Sequence, residues 1–246
     1  MEFDKLKLLF GEPYPVNKKI TIYQPSIMNI IDFGEKNFYF MLNTLIANTT
    51  SYRLPLWEKG IDWNKITDFE LFTMLVPNLS QESTALLFGD IDFQKFKMTY
   101  VKKENGEEIG VFINESQQIA IDEKTYIHIV SYLRDMFDMH PKVEKAKGKT
   151  TKLAIIEEDR TNRELHKKDE YQSVLMPLVS FCLNHPGFKY KKNELKEMGI
   201  VEFMDSVKRL QIYESTSALT HGIYSGMVDV SKIDKNEFNF LRQSGS

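Results

Sequence analysis

Apolar and polar positions alternate with a period of two over Lys19-Ile-Thr-Ile-Tyr23, which predicts a half-buried strand between the prolines at 13, 15 and 25. The period then lengthens. From Ile27 to Ile46, Ile31, Phe38, Met41, Leu42 and Leu45 recur at helical spacing, with Gly34 placed to divide the segment in two. Thr67-Asp-Phe-Glu70 reads as a capping box, the hydroxyl and the carboxylate each taking a free amide of the first helical turn, and Phe69, Leu71, Phe72 and Leu75 form the apolar side of that helix. Between about 92 and 122 the alternation returns: Met98-Thr-Tyr-Val101 and Ile109-Gly-Val-Phe-Ile113 flank Asn105-Gly106, a pair suited to the positive φ of a tight hairpin, and Gln118-Ile-Ala-Ile-Asp122 offers a third strand.

Beyond Asp122 the pattern is helical throughout. Tyr126, Ile129, Val130, Leu133 and Phe137 share one face of a helix that His140-Pro141 should end. A mostly charged helix is expected from about Thr151 to Lys168, followed by an apolar one over 173–183 that Pro177 kinks or delays, closed by Asn184-His-Pro-Gly187. The most regular stripe is Ile200, Phe203, Met204, Val207 and Leu210, with Asp205 and Arg209 spaced for an i,i+4 ion pair on its polar side. Asp234-Lys-Asn-Glu237 announces a last short helix from which Phe238, Phe240 and Leu241 can dock back. These elements predict an α+β, mainly α fold, with a small β element and a hairpin near 98–113 in a mixed region 1–141, and a helical region 142–246.

Composition makes the picture that of an ordinary folded chain: 42% of its 246 residues are hydrophobic and 27% charged, enough to bury a core and too apolar for wholesale disorder. A net charge of -3 provides no global positive field for phosphate backbones. The charged start of the chain lacks the apolar stretch of a secretory leader, and no window reaches the roughly 18 apolar residues a bilayer demands. A non-exported protein is expected, in a reducing compartment where the single cysteine, Cys182, is a small buried hydrophobe.

Candidate chemistry is sparse. His128, His140, His166, His185 and His221 are scattered without ligand spacing, and Gly89-Asp-Ile-Asp92, which would suit a hard cation, fits a solvated turn better. Neither a nucleophile elbow nor a glycine-rich phosphate loop is found. No cofactor or metal is expected. The conspicuous charge feature is Lys142, Lys145, Lys147, Lys149 and Lys152, with Glu144 the sole acid among them. Such a run can contact nucleic acid or an acidic partner, but the acids at 157–159 follow at once and no aromatic residue interleaves it, so a solvated linker is preferred. The same discount applies to Lys189-Tyr-Lys-Lys192, and to a helix-turn-helix forced onto Asn193–Leu210 around Gly199.

Ile20-Thr-Ile-Tyr-Gln-Pro-Ser-Ile27 followed by Ile30-Ile-Asp-Phe-Gly-Glu35 resembles the strand, Pro-Ser step and helix that open many phage tail assembly chaperones. Tyr52-Arg-Leu-Pro-Leu-Trp57, Gly60-Ile-Asp-Trp63, Asp68-Phe-Glu-Leu-Phe72, Asn184-His-Pro-Gly-Phe-Lys-Tyr190 and Glu202-Phe-Met-Asp-Ser-Val-Lys-Arg-Leu-Gln-Ile-Tyr213 are similar to proteins encoded among the tail genes of phages and prophages of Gram-positive bacteria. The resemblance implies a non-enzymatic protein of the bacterial host cytoplasm that coats the tape-measure protein while tail-tube subunits polymerise around it. The chain is longer than compact chaperones of that kind, and His221 stands where an apolar or small residue is usual. Partner-binding candidates under this reading are the stripe at Phe203, Val207 and Leu210 and the lysines Lys145, Lys147 and Lys149. The alternatives are a structural component of the virion and a nucleic-acid-binding protein.

Overall fold

A computed structural model describes residues 3–102, 106, 108–229, 231 and 233–242. The chain opens with α1 (Lys5–Leu9) and a two-stranded antiparallel ladder of β1 (Tyr14–Pro15) and β2 (Thr21–Ile22). In the alternating segment, Ile20 and Ile22 are fully buried while Lys19 and Tyr23 face solvent. Next come α2 (Ile27–Phe33) and α3 (Glu35–Leu45), divided at Gly34, whose φ of +91° a side chain would strain. Ser26 and Asn29 exchange hydrogen bonds in a capping box that starts α2. The helices α4 (Arg53–Glu58), α5 (Asp68–Leu75) and α6 (Gln81–Phe88) follow, with Thr67 and Glu70 forming the expected box at the head of α5.

The second sheet has the order β3-β4-β5, all antiparallel, from β3 (Lys97–Lys102), β4 (Glu108–Asn114) and β5 (Ile119–Ile121), with Met98 opposite Phe112 and Ile113 opposite Ala120. Asn105 of the expected hairpin turn lies outside the described residues; Gly106 itself has a φ of +82°. An aromatic cluster backs this sheet: Phe93 stacks on Phe96 at 5.5 Å and Phe72 meets Phe112 edge-on at 6.4 Å.

Among the described residues five further α-helices follow: α7 (Glu123–Phe137), α8 (Lys149–Leu165), α9 (Leu175–Asn184), α10 (Lys192–Glu197) and α11 (Ile200–Tyr224). α7 ends at Asp138, in the left-handed conformation, before His140-Pro141 is reached. The Asp234–Glu237 pattern starts the expected last short helix, a 3-10 turn over Lys235–Phe238 with Asp234 accepting from Asn236 N. With 55% of the chain helical and 9% in strands, and both sheets in the N-terminal half, the fold is α+β and mainly α.

The main core does not stop at residue 141. Ile27, Phe38, Phe72, Ile129 and Leu133 belong to the same buried cluster as Leu175, Cys182, Leu195, Phe203 and Val207. A second, smaller cluster gathers Ala47, Leu54, Leu56, Trp63, Leu71 and Ile156. Among the described residues no helix is long and apolar enough to cross a membrane.

Candidate functional site

α11 begins at a backbone junction. Ile27 N donates to Met198 O at 3.0 Å and Ile200 N to Pro25 O at 3.0 Å, pairing the turn before α11 with the chain entering α2. A Cβ on Gly199 would collide with the Gln24 side-chain amide, which would have to move aside. From there the apolar stripe of α11 turns inward against α1 and α7. Phe203 is 0% and Val207 3% exposed. Two of the three stripe residues expected to meet a partner are therefore core, because the same spacing that would present them to a partner also packs them on neighbouring helices. Leu210, half-buried, is the exception.

Leu210 lines a groove of 520 Å³ between α11, the 187–190 segment and Phe240. Four aromatic rings surround it: Phe188 and Tyr190, 5.5 Å apart, and Tyr213 and Phe240, 5.7 Å apart. The turn Asn184-His-Pro-Gly187 carries the first pair. Gly187 N donates to His185 Nδ1 at 3.0 Å, which leaves Nε2 to carry the proton toward Glu214 Oε1, 3.0 Å away on α11. A Cβ on Gly187 would sit 3.1 Å from the His185 ring and 3.3 Å from Leu210, so a side chain there would press into the floor of the groove. Tyr190 Oη donates to Glu202 Oε1 at 3.2 Å, and the bond and charge of that carboxylate push the phenol pKa up.

The polar wall is Asp205 and Arg209, which form the expected i,i+4 pair at 3.5 Å. Arg209 Nη1 also donates to Arg242 O at 2.9 Å. The C-terminal segment is tied down further by Arg242, whose guanidinium reaches the buried Thr216 Oγ1 at 2.6 Å, Glu237 O at 2.7 Å and Ser215 Oγ at 2.8 Å. Phe240 thus docks back as expected, whereas Leu241 is 83% exposed. The groove is an apolar slot whose charged lining residues are Lys189 and the paired Asp205 and Arg209.

Lys145, Lys147 and Lys149 lie elsewhere. Their side chains face solvent, but residues 142–146 are fixed on the N-terminal half: Asn48 Nδ2 donates to Lys142 O at 2.8 Å, Glu144 N to Thr50 Oγ1 at 2.9 Å and Asn64 Nδ2 to Ala146 O at 2.8 Å. The lysines are solvated as the linker reading has it, while the backbone beneath them is clamped. Arg53 of α4 anchors the same region, bonding Glu144 Oε2 and Asp159 Oδ2, each at 2.6 Å. Those bonds, Asp159's foremost, raise the Arg53 pKa further above its already high value.

Of the two acids of Gly89–Asp92, Asp90 is exposed and Asp92 is buried. Asp92 is buried and caps the 3-10 turn after it, accepting from Gln94 N at 3.1 Å and pairing with Lys95 at 3.1 Å, while the Asp90 carbonyl accepts from Gln117 Nε2 at 2.6 Å. Among the described residues no group of three or more His, Cys, Asp or Glu side chains is placed to hold a metal ion. Cys182 is buried, and burial pushes its thiol pKa up, away from a reactive thiolate. The sequence reading missed the groove because its rings come from three separate segments; the signal available was the aromatic spacing of Phe188 and Tyr190 just after a Pro-Gly turn.

Comparison with protein-family models, with curated proteins and with solved structures finds no match to this chain.

Proposed function

We propose that this protein is a non-enzymatic phage tail assembly chaperone that works in the cytoplasm of the bacterial host and holds an apolar segment of the tape-measure protein in the C-terminal groove. The observation that carries the reading is the groove itself: four aromatic rings around the half-buried Leu210, at the edge of an α11 stripe whose Ile200, Phe203 and Val207 are already buried. Covering one aromatic or aliphatic side chain there contributes about 1.5–3 kcal/mol, before the cost of ordering the partner is subtracted. Holding of that strength is reversible, as a chaperone displaced by polymerising tail-tube subunits requires. Two segments that carry the resemblance to tail-region proteins, Asn184–Tyr190 and Glu202–Tyr213, supply most of the lining.

The test is capture of the tape-measure protein encoded at the same locus by the intact chain and by Tyr213→Ala and Phe188→Ala variants. The reading expects capture by the intact chain and loss of most of it in both variants at unchanged helical content. Equal capture by all three would move the binding surface away from the groove.

A further inference from the structure

α8 is held on the protein in an unusual way. Of its 17 residues only Ile156 is buried, and every residue from 160 to 172 is exposed. A helix with so little packing owes its position to other contacts. Lys152, Ile156, Asp159 and Arg163 stand at i, i+4, i+7 and i+11, which places them in one stripe along the helix. Each meets a complement. Lys152 pairs with Asp62; Asp159 takes the Arg53 fork, Nε at 2.6 Å and Nη2 at 2.7 Å; Arg163 takes both oxygens of Glu58, at 2.7 and 3.0 Å.

Ile156 drops into the second apolar cluster, and that cluster is nearly complete without it. Ala47, Leu54, Leu56, Trp63 and Leu71 form its floor, all from the N-terminal half, and Trp57 packs on Trp63 at 5.8 Å. The Trp63 indole N–H, on a residue 2% exposed, has no hydrogen-bond partner among the described residues. The ends of α8 have anchors of their own besides Arg53, which is shared between Glu144 and Asp159. Residues 142–146 are clamped by Asn48, Thr50 and Asn64, Gly148 with φ +90° precedes the helix, and α9 is anchored separately by Glu35.

We propose that the face of α4 and the 61–66 segment is a groove for a partner helix, with α8 as its resident occupant. The partner it fits is an amphipathic helix presenting basic, aliphatic, acidic and basic side chains at i, i+4, i+7 and i+11, the complement of Asp62, the Trp63 cluster, Arg53 and Glu58. The Arg163–Glu58 pair is half exposed and screened by salt, while the Lys152–Asp62 and Arg53–Asp159 pairs, with side chains 16–22% exposed, select a helix by its order of charges, so a helix of the same order with a better aliphatic contact displaces the resident. This does not depend on the C-terminal groove or on the tape-measure assignment, and stands or falls separately.

Trp57 and Trp63 are the chain's two tryptophans, so selectively excited tryptophan fluorescence reports on this groove. The probe is a synthetic peptide of residues 149–165, titrated into the full chain and into two full-chain variants that loosen the resident helix without touching the groove. One is the double charge reversal Asp159→Lys with Arg163→Glu; the other is Ile156→Asp. The expected result is binding roughly tenfold tighter to the double variant than to the unaltered chain. A peptide carrying the same two reversals should not bind the unaltered chain. If the double variant keeps its circular dichroism and binds the peptide no more tightly, the groove is a fixed part of the fold and the proposal is wrong; Ile156→Asp repeats the test through the aliphatic contact.

Discussion

Glu35 shows how a single side chain joins parts of the chain far apart in sequence. Its carboxylate accepts from Val174 N at 2.6 Å and Leu175 N at 2.8 Å and bonds the Ser173 hydroxyl, capping α9 from the head of α3. Partial burial pushes the Glu35 pKa up, but the bonds from Ser173, Leu175 and Val174 outweigh it and hold the carboxyl below its ordinary 4.5. A depressed folded pKa means stability present at neutral pH and lost as pH falls below 4.5 through the folded value. Glu35→Gln should therefore be less stable at pH 7, by about 1 kcal/mol as for other cap losses, and the difference should shrink on acidification. Urea titrations at pH 7 and pH 3.5 measure both. Sequence could not reveal this cap, since nothing near Pro177 names its partner. The stripe of α11 failed differently: spacing identified Phe203, Val207 and Leu210 as one face but not what that face meets. Phe203→Ala, which empties a fully buried site, should cost about 3–5 kcal/mol in urea unfolding, whereas Tyr213→Ala, half-exposed, should stay within about 0.5 kcal/mol.

Among the elements, those written by local chemistry were legible. The box at Thr67 and Glu70, the division at Gly34 and the strands around the hairpin follow from neighbours in sequence, and each stands where the residues put it. The docking of α8 was not legible, because it depends on Arg53, Glu58 and Asp62 meeting residues about a hundred positions later. That docking is expected to respond to pH. The Lys152 bond holds the Asp62 carboxyl below its ordinary 3.8, and the Arg163 bond does the same for Glu58 from 4.5. Both depressed values stabilise the docked helix at neutral pH and cease to do so as pH falls through them. Tryptophan emission should shift to the red below about pH 4, and earlier in 1 M salt, before the far-ultraviolet signal of the remaining helices declines. Simultaneous loss of both signals at every salt concentration would show that α8 detaches only with global unfolding.

At the scale of the whole molecule, the change of texture at residue 141 divides mixed from helical sequence, yet the main core spans it: Phe38 and Ile129 share a cluster with Cys182 and Phe203. Exposed apolar residues are found on both halves, Phe10 and Phe40 among them, and on the C-terminal half Tyr213, Phe240 and Leu241 gather at and beside the aromatic groove. Surfaces of that kind suit a protein whose work is to cover another chain for a time. The measurement that bears most directly on this is co-expression with the tape-measure protein of the same locus, followed by co-purification and sizing. The expected result is a soluble complex from a partner that is insoluble alone, weakened by Tyr213→Ala. A tape-measure protein that stays insoluble, and a chain that elutes unchanged beside it, would contradict it.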